Sequence, residues 1–379
     1  MIEIINRKSD VILGNADLLD IHKIENFPIF MGCVDTLIEE DLHADMSWAI
    51  SKSSGLIQLK KLIPLDILYA NSHGSGDIGR IWNEHHKEFA IFISKNNPKK
   101  ILEIGGGHGI LSKEFHKFGK VDWTIIEPNP TPVKDCPAKF VKGFFDENFL
   151  GNGQYDTIVH SHVLEHIYDP LIFMKHLSSF IDSGKSLIFS LPNMKEMLKR
   201  NYTNCLNFEH TVFLTEEYVD FLLAKFGFRV VEKKYFMDDH SIFYSTEKDI
   251  KLKSVELSKN LYDKNLNLYN NFLEYHSKLI KNLNNKMKQI SGPIYLFGAH
   301  IFSQYLICSG LNSDKIICLL DNDTSKQGKR LYGTSLYVKS PKFLKDKDDV
   351  SIILKAGVYN NEIKEDIIKN VNSNVKFLE

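Results

Sequence analysis

The run of residues 101–109, Ile-Leu-Glu-Ile-Gly-Gly-Gly-His-Gly, constrains the fold more than any other part of this chain. An apolar stretch containing Glu103 leads into a glycine turn, and a helix-like stretch follows from Ile110. Glycine lets a backbone turn sharply after a strand and approach a ligand closely, because it has no Cβ. The run therefore predicts a strand, a ligand-binding turn and a helix, the first unit of a parallel α/β sheet.

The spacing of these glycines distinguishes between two kinds of ligand. A dinucleotide fingerprint needs glycine at the first, third and sixth positions, but the sixth position counted from Gly105 is Ile110. Glycine occurs instead at every second position, and this pattern after an acidic strand end resembles motif I of class I S-adenosylmethionine (SAM) methyltransferases. The resemblance implies that SAM is the cofactor and that Glu103, Gly105 and Gly107 help to bind it.

A second apolar run, residues 123–126, also ends in an acid. Glu127 and Pro128 follow it, about 20 residues after the glycine turn, as expected for one strand–helix–strand unit. A carboxylate at this strand end binds ribose hydroxyls in dinucleotide-binding sheets. We therefore predict that Glu127 and Pro128 hold the ribose of the cofactor.

Two later strand ends complete the predicted cofactor site. Phe145 and Asp146 follow the third apolar run and suit an adenine ring, by stacking and by a contact to its amino group. The fourth run leads into His160 and Ser161 and resembles motif IV of the same superfamily, where the strand end lines the methionine part of SAM. Four such elements in this order support a SAM site.

Composition excludes several other functions. The formal net charge of −1 in 379 residues rules out a broad basic footprint for nucleic acid. No apolar run approaches the length of a membrane span, and the N-terminus lacks the order of a signal peptide. The five scattered cysteines resemble the reduced thiols of a cytoplasmic protein. No pattern in the sequence predicts an oligomeric state.

The length and the pattern along the chain predict four regions. Residues 1–85 are mixed and form an N-terminal substrate-binding module, and residues 86–246 alternate strand and helix patterns as in a parallel sheet. Residues 247–291 carry apolar positions three or four apart, which predicts a helical linker. Residues 292–379 begin another strand–turn–helix unit and form a C-terminal domain.

The C-terminal region makes the resemblance more specific. Gly298-Ala299, Asp321-Asn322-Asp323, Lys326-Gln327-Gly328 and Tyr332-Gly333-Thr334 together resemble the C-terminal domain of sugar C-methyltransferases, which act on nucleotide-linked keto-deoxysugars. This resemblance covers most of the chain. It implies an α/β fold with a class I SAM methyltransferase sheet, a small N-terminal module and a Rossmann-like C-terminal domain that helps to hold the sugar nucleotide.

Asn207-Phe208-Glu209-His210 resembles the Tyr-x-Glu-His segment that supplies the catalytic histidine and glutamate of that family. The resemblance implies that His210 is the general base and that Glu209 supports it. A histidine suits this role because its unperturbed pKa is about 6.5. For carbon methylation an enolate forms, and its oxygen needs donors, for which Tyr69, Asn207 and His240 are candidates. His166, in motif IV, is equally suited to a structural role and to substrate contact.

The N-terminal module departs from the family, whose members carry two Cys-x-x-Cys pairs that bind zinc. Only Cys33 is present here, and residues 51–55 are Ser-Lys-Ser-Ser-Gly where the second pair is expected. One thiolate cannot close a tetrahedral zinc site without three partners, so we predict that the module binds no metal.

Two alternatives to carbon methylation remain open at this stage. The acceptor can be an oxygen or nitrogen of a sugar or of another small metabolite, in which case the oxyanion donors are unnecessary. The chain can also be a non-catalytic protein that binds SAM or a sugar nucleotide.

Overall fold

The computed structural model describes residues 3–70, 80–149, 151 and 155–378. The N-terminal part contains short strands, most of them antiparallel, and one short helix. They are β1 (Ile5–Asn6), β2 (Leu18–Pro28), β3 (Cys33–Val34), β4 (His43–Ser51), β5 (Ile57–Leu59), β6 (Lys61–Leu62) and α1 (Leu65–Leu68). The strands β2, β4 and β5 form a three-stranded antiparallel sheet in that order, which gives this region a small core of its own.

The central region alternates strands and helices, as the sequence predicts. Its elements are α2 (Arg80–Ser94), β7 (Lys100–Ile104), α3 (Ile110–Phe115), β8 (Asp122–Glu127), β9 (Lys139–Lys142), β10 (Thr157–Ser161), α4 (Pro170–Phe180), β11 (Ser186–Pro192), α5 (Met194–Lys199), α6 (Glu216–Lys225), β12 (Phe228–Phe236) and β13 (Ser241–Lys248). The helix α2 packs Phe89 and Phe92 against Phe243 of the sheet, so we propose that this domain begins near residue 80.

Seven of these strands form one sheet in the order β12-β13-β11-β10-β7-β8-β9. Counted along the domain, the order is 3-2-1-4-5-7-6 from the β9 edge, and β13 runs antiparallel to both of its neighbours. The order reverses between β7 and β10, and ligands of open α/β sheets bind where such a reversal opens a crevice at the carboxyl ends. The predicted class I SAM methyltransferase fold is confirmed.

One long helix, α7 (Leu261–Gln289), forms most of the predicted linker. Its buried stripe contacts three cores in turn: Leu261 packs in the central domain, Tyr269 and Phe272 pack against the N-terminal sheet, and Leu283 packs in the C-terminal domain. The period of about 3.6 residues keeps these side chains on one side of the helix. The linker therefore holds the three regions together.

The C-terminal region is a second, smaller α/β unit. It contains β14 (Ile294–Phe297), α8 (Ile301–Cys308), β15 (Ile316–Leu320), β16 (Arg330–Leu331), β17 (Val338–Lys339), β18 (Ser351–Leu354), α9 (Asn360–Asn370) and β19 (Lys376–Leu378). Five strands form an all-parallel sheet in the order β17-β15-β14-β18-β19. This architecture agrees with the predicted Rossmann-like domain.

The N-terminal module contacts both other regions. Its strand β3 pairs with β16 of the C-terminal domain, and beside this pair the buried guanidinium of Arg330 binds Asp41 through two contacts of 2.5 and 2.9 Å. On the other side, backbone bonds join β5 to residues 211–213 of the central domain, at 2.9 Å each. Within the described residues no helix is both long and apolar enough to cross a membrane.

Candidate active site

The glycine turn after β7 has the geometry of a ligand cradle. Gly105 and Gly109 both adopt φ of +71°, which favours glycine, and Gly105 is exposed. A Cβ on Gly105 would lie 2.8 Å from a methyl carbon of Val163, so a side chain here would crowd the turn. Glu127, at the end of β8, accepts hydrogen bonds from the backbone N–H of Gly107 at 3.1 Å and of Asn129 at 3.0 Å. The turn and the predicted ribose carboxylate therefore lie together, with Pro128 next in the chain, and the residues fit SAM.

Glu103 lies beneath this turn. Its side chain is 2 % exposed, and one carboxyl oxygen accepts a hydrogen bond from the indole N–H of Trp123 at 2.8 Å. A Cβ on Gly106 would lie 2.7 Å from the carboxyl carbon of Glu103, so the carboxyl group supports the turn from below. Burial raises the pKa of Glu103 to about 8, and the nearby charge of Glu127 adds to the rise. A direct contact between Glu103 and the cofactor stays a prediction.

The loop after β9 places its two phenylalanines differently from the prediction. Phe145 is buried in the core, where its ring packs 4.6 Å from the ring of His176 and 5.2 Å from that of Phe180. This packing argues against the predicted adenine stack on Phe145, whereas the neighbouring Phe144 is 46 % exposed. Asp146 accepts a hydrogen bond from the backbone N–H of Asn148. Its side chain is exposed, so its carboxylate is accessible for the predicted contact with the adenine amino group.

The end of β10 also needs a correction. His160 is 1 % exposed and stacks on Phe189 at 4.8 Å between ring centroids, so its ring belongs to the core and cannot line the cofactor. Burial lowers its pKa to about 3, which keeps the ring neutral. Ser161, the next residue along β10, is half-buried. Its hydroxyl shares a 2.9 Å hydrogen bond with the hydroxyl of Ser190.

Beside the cofactor turn, the structure brings four polar side chains together. The hydroxyl of Tyr69 lies 3.2 Å from Nδ1 of His166, and a carboxyl oxygen of Glu209 lies 3.8 Å from the same nitrogen. The rings of His166 and His210 face each other edge to face, with centroids 5.1 Å apart. The side chain of Asn129, next to the Glu127 carboxylate, donates to the backbone carbonyl of Tyr69. We call Tyr69, His166, Glu209 and His210 the acceptor cluster.

The backbone around His210 explains its position. The side-chain oxygen of Asn207 accepts hydrogen bonds from the N–H groups of Glu209 at 2.8 Å and His210 at 2.7 Å, and its amide donates to Asn204. Asn207 therefore shapes the loop, and one N–H of its amide is used internally, while its role as an oxyanion donor stays a prediction. Directly after His210, Thr211 pairs with both β5 and the backbone of Glu165, which fixes the cluster between two domains.

Burial keeps two members of the acceptor cluster, His210 and Tyr69, uncharged. It lowers the pKa of His210 to about 3 and raises that of Tyr69 well above its usual range, with a smaller effect from the charge of Glu209. At neutral pH the imidazole of His210 has a free lone pair and the phenol of Tyr69 keeps its proton. The cluster thus offers one proton acceptor and one hydrogen-bond donor in the same space.

His240 lies outside this cluster, so its prediction as an oxyanion donor is wrong. Its ring contacts Trp82 at 5.9 Å and His162 at 6.5 Å between centroids, and its Nδ1 bonds to Ser241 at 2.8 Å. The antiparallel register of β13 holds it at the far side of the motif IV loop.

The candidate metal ligands do not lie in the N-terminal module. Within the described part of the chain, the one group of three potential ligands is Glu165, His166 and His210, whose ligand atoms lie within 4.8 Å of one another and can approach a divalent cation. The thiol of Cys33 donates instead to the carbonyl of Ala299 at 3.6 Å. Where the resemblance places the second cysteine pair, Asp17 accepts hydrogen bonds from the hydroxyl of Ser51 at 2.9 Å and the backbone N–H of Ser53 at 2.7 Å.

A crevice between the central and C-terminal domains opens beside the loop that carries His210. It is lined by Arg200, Asn201, Tyr202, Thr203, Tyr275, His276, Leu279, Phe302, Leu306, Lys355, Gly357 and Asn360. Two cations, Arg200 and Lys355, stand among aromatic rings at the carboxyl end of the C-terminal sheet. The cavity has a volume of about 70 Å³, which is room for a small anionic group.

Comparisons with known proteins agree with this geometry. Residues 80–233, less than half of the chain, match the profile of a family described as "Methyltransferase domain". A search of curated protein sequences finds no match.

Similar solved structures include magnesium protoporphyrin IX methyltransferase from Synechocystis PCC 6803 (15% identity, 46% of this chain and 90% of that chain, TM-score 0.37). Human N-acetylserotonin methyltransferase is 16% identical, over 45% of this chain and 53% of that chain, with a TM-score of 0.38. The N-methyltransferase NodS from Bradyrhizobium japonicum WM9 is 15% identical, over 46% of this chain and 99% of that chain, with a TM-score of 0.35.

The central domain is a class I methyltransferase domain by its strand order, its glycine turn with Glu127, and its match to the family profile. The chain is a SAM-dependent methyltransferase, with SAM as its cofactor.

Proposed function

We propose that this methyltransferase transfers the methyl group of SAM to a carbon next to the ketone of a nucleotide-linked sugar. The observation that supports this most directly is the acceptor cluster, which combines a neutral base with a phenol beside the cofactor turn. Bound SAM supplies a methyl group on a sulfonium, so the protein has to orient the acceptor and remove one proton.

In this proposal His210 removes the proton from the acceptor carbon. Because burial lowers its pKa, the ring is neutral when the substrate enters and can accept a proton. The Glu209 carboxylate is 6 % exposed and lies 3.8 Å from Nδ1 of His166, whose ring faces His210, so its negative charge would stabilise the imidazolium that forms. A buried base with this low a proton affinity depends on such a partner.

Tyr69 then stabilises the enolate oxygen. Its pKa is raised, so it keeps its proton at neutral pH and donates a hydrogen bond, while His166 holds the hydroxyl from the other side at 3.2 Å. A positioned donor of this kind contributes more to the transition state than to substrate binding. The pairing of a base with a donor is what carbon methylation requires, and oxygen or nitrogen methylation does not need the donor.

The crevice between the central and C-terminal domains is proposed to bind one phosphate of the substrate, which Arg200 and Lys355 would neutralise.

The test is a screen of nucleotide-linked keto-sugars with SAM, in which mass spectrometry detects the added methyl group. The same substrates in deuterated water, without SAM, should exchange the hydrogen next to the ketone. A methylated product without exchange, with the methyl group on oxygen or nitrogen, would refute carbon methylation. Cofactor binding without methylation of any acceptor would favour a binding protein.

His210→Ala should reduce turnover by about 10²–10⁴-fold, because a positioned general base is lost. SAM affinity should stay at the wild-type value, since His210 lies outside the cofactor turn. His22→Ala is the matched control, because His22 lies on β2 of the N-terminal module and its ring bonds to Tyr269 of α7. A near-wild-type rate for His210→Ala would remove this residue from the mechanism.

A further inference from the structure

A carboxyl group and two imidazole rings meet at the edge of the acceptor cluster. Oε1 of Glu165 lies 3.8 Å from Nε2 of His166, and one oxygen or nitrogen atom from each of Glu165, His166 and His210 lies within 4.8 Å of the other two. Atoms bound to one zinc ion in a tetrahedron lie roughly 3.3 Å apart. The widest pair therefore has to close by at most about 1.5 Å, which side-chain rotation can supply.

Glu165 is the unusual member of this group. Its side chain is 1 % exposed, and neither carboxyl oxygen has a hydrogen-bond partner within the described residues. In the same part of the chain its ion-pair contacts are with histidines, at 3.4 Å to His162 and 3.8 Å to His166, and not with a lysine or arginine. Buried carboxyl groups are almost always bonded or paired, so this one is suited to binding a cation directly.

The surroundings of His166 match those of a metal-binding histidine. Such a ring binds the ion through one nitrogen and orients itself by a contact of the other nitrogen with an oxygen atom. Nε2 of His166 faces Glu165. Its Nδ1 lies 3.2 Å from the hydroxyl of Tyr69 and 3.8 Å from a carboxyl oxygen of Glu209. Nδ1 of His210 is buried without a hydrogen-bond partner among the described residues, so this ring has a nitrogen available as a ligand.

Two loops hold these side chains in place. Glu165 and His166 are neighbours in one helical turn after β10, and the N–H of Thr211 bonds to the carbonyl of Glu165 at 3.1 Å. The side chain of Asn207 accepts a hydrogen bond from the N–H of His210 at 2.7 Å. The backbone of the site is therefore fixed before an ion binds, which lowers the cost of ordering it. The side chain of His166 is 21 % exposed, so an ion reaches the group from solvent.

We propose that Glu165, His166 and His210 bind one zinc ion, with water in the fourth position. Two imidazole nitrogens and one carboxylate favour zinc, and also cobalt or nickel, over magnesium and calcium, which prefer oxygen ligands. Three protein ligands leave one position of a tetrahedral ion open. The site is separate from the N-terminal module and does not involve its cysteine.

The ion and the proposed function exclude each other at His210. A neutral imidazole has one lone pair, so a ring that gives it to zinc cannot also accept the proton of the acceptor carbon. Zinc-loaded enzyme should therefore be inactive, and a chelator should restore turnover. This consequence rests on the proposed function, whereas binding of the ion does not.

Binding is measured on the full chain after a chelator has removed any metal. A cobalt titration followed by visible absorption should give one ion per chain with the intense bands of a four-coordinate site, and zinc, but not excess magnesium, should displace it. Glu165→Gln and His210→Ala should each weaken zinc binding by more than the roughly 10–100-fold that loss of an outer-shell partner costs. X-ray absorption of the zinc-loaded wild type, which needs no variant, should show imidazole and oxygen ligands and no sulfur.

Glu103→Gln and Cys33→Ser are the matched controls. Glu103 is an equally buried carboxyl group outside the site, and the thiol of Cys33 contacts Ala299 in the C-terminal domain. Both variants should bind zinc as tightly as wild type. The proposal is overturned if wild type binds neither cobalt nor zinc at one ion per chain, if X-ray absorption shows a sulfur ligand, or if Glu165→Gln and His210→Ala keep wild-type affinity.

Activity separates the zinc site from the proposed function. Saturating zinc should abolish methylation of a nucleotide-linked keto-sugar by the metal-free enzyme, and a chelator should restore it. Full turnover with zinc bound would overturn the exclusion at His210. A metal-free enzyme that methylates no keto-sugar would refute the proposed function, while the cobalt and zinc titrations would still decide whether the site exists.

Discussion

Glu103→Gln should make the protein more stable at alkaline pH. The side chain of Glu103 is 2 % exposed under the glycine turn, so solvent hardly reaches its carboxyl group. One carboxyl oxygen accepts a hydrogen bond from the indole N–H of Trp123. Burial raises its pKa from 4.5 to about 8, since the charged form is poorly solvated there. Glutamine has nearly the same shape, keeps an oxygen that can accept the bond from Trp123, and carries no charge.

The magnitude follows from proton linkage. Between pH 4.5 and about 8 the unfolded chain has lost the Glu103 proton while the folded chain keeps it. Unfolding therefore releases a proton, and rising pH favours the unfolded state. Each tenfold change in proton affinity is worth about 1.4 kcal/mol, so the penalty grows through this window to at most about 5 kcal/mol and is constant above it. Glu103→Gln removes this penalty.

The assay is thermal or urea unfolding of wild type and variant from about pH 5 to about pH 9. The two proteins should be similar at the acidic end, and the variant should become progressively more stable as the pH rises. Glu232→Gln is the control, because the Glu232 carboxylate is at the surface and bonds to Lys95. A stability difference that does not depend on pH, or a variant less stable than wild type at the alkaline end, would refute this account.

Three further predictions concern the cofactor, a domain contact and metal. Glu127→Ala should weaken SAM binding by about 1–3 kcal/mol in calorimetry, and unchanged affinity would remove its ribose role. Arg330→Met should cost about 3–5 kcal/mol of unfolding free energy because it leaves Asp41 buried and unpaired, whereas Lys329→Met at the surface should cost little. Elemental analysis should find no zinc that depends on Cys33; zinc lost with Cys33→Ser would contradict this.

The cofactor turn could be predicted from sequence because its determinants are local. Gly105, Gly107 and Glu127 are fixed by one strand–turn–helix–strand unit, where spacing alone sets which groups meet. The face on which a loop residue points is harder to predict, because no period applies beyond the strand end. This is why Phe145 and His160, each one position from a more accessible neighbour, are core residues rather than cofactor ligands.

The acceptor cluster could be predicted only in part. Tyr69 and His210 are 141 positions apart in the chain, and their meeting depends on how the N-terminal module docks on the central domain. His166 gave a signal, since it lies in the motif IV run, but sequence could not separate a structural role from substrate contact.

In the proposed mechanism the N-terminal module is part of the catalytic apparatus. It supplies Tyr69, and its strand β5 forms backbone bonds on both sides of Val212, two positions after the proposed base His210. Arg7, from the same module, donates to the carbonyl of Thr211 at 2.8 Å and to its hydroxyl at 3.1 Å while buried. A loop fixed at this many points loses little entropy when the substrate binds, which favours a pre-organised base. The hydrogen bonds of Asp17 with Ser51 and Ser53 brace the end of β4, the strand that pairs with β5, and so help to keep β5 in place beside the loop of His210.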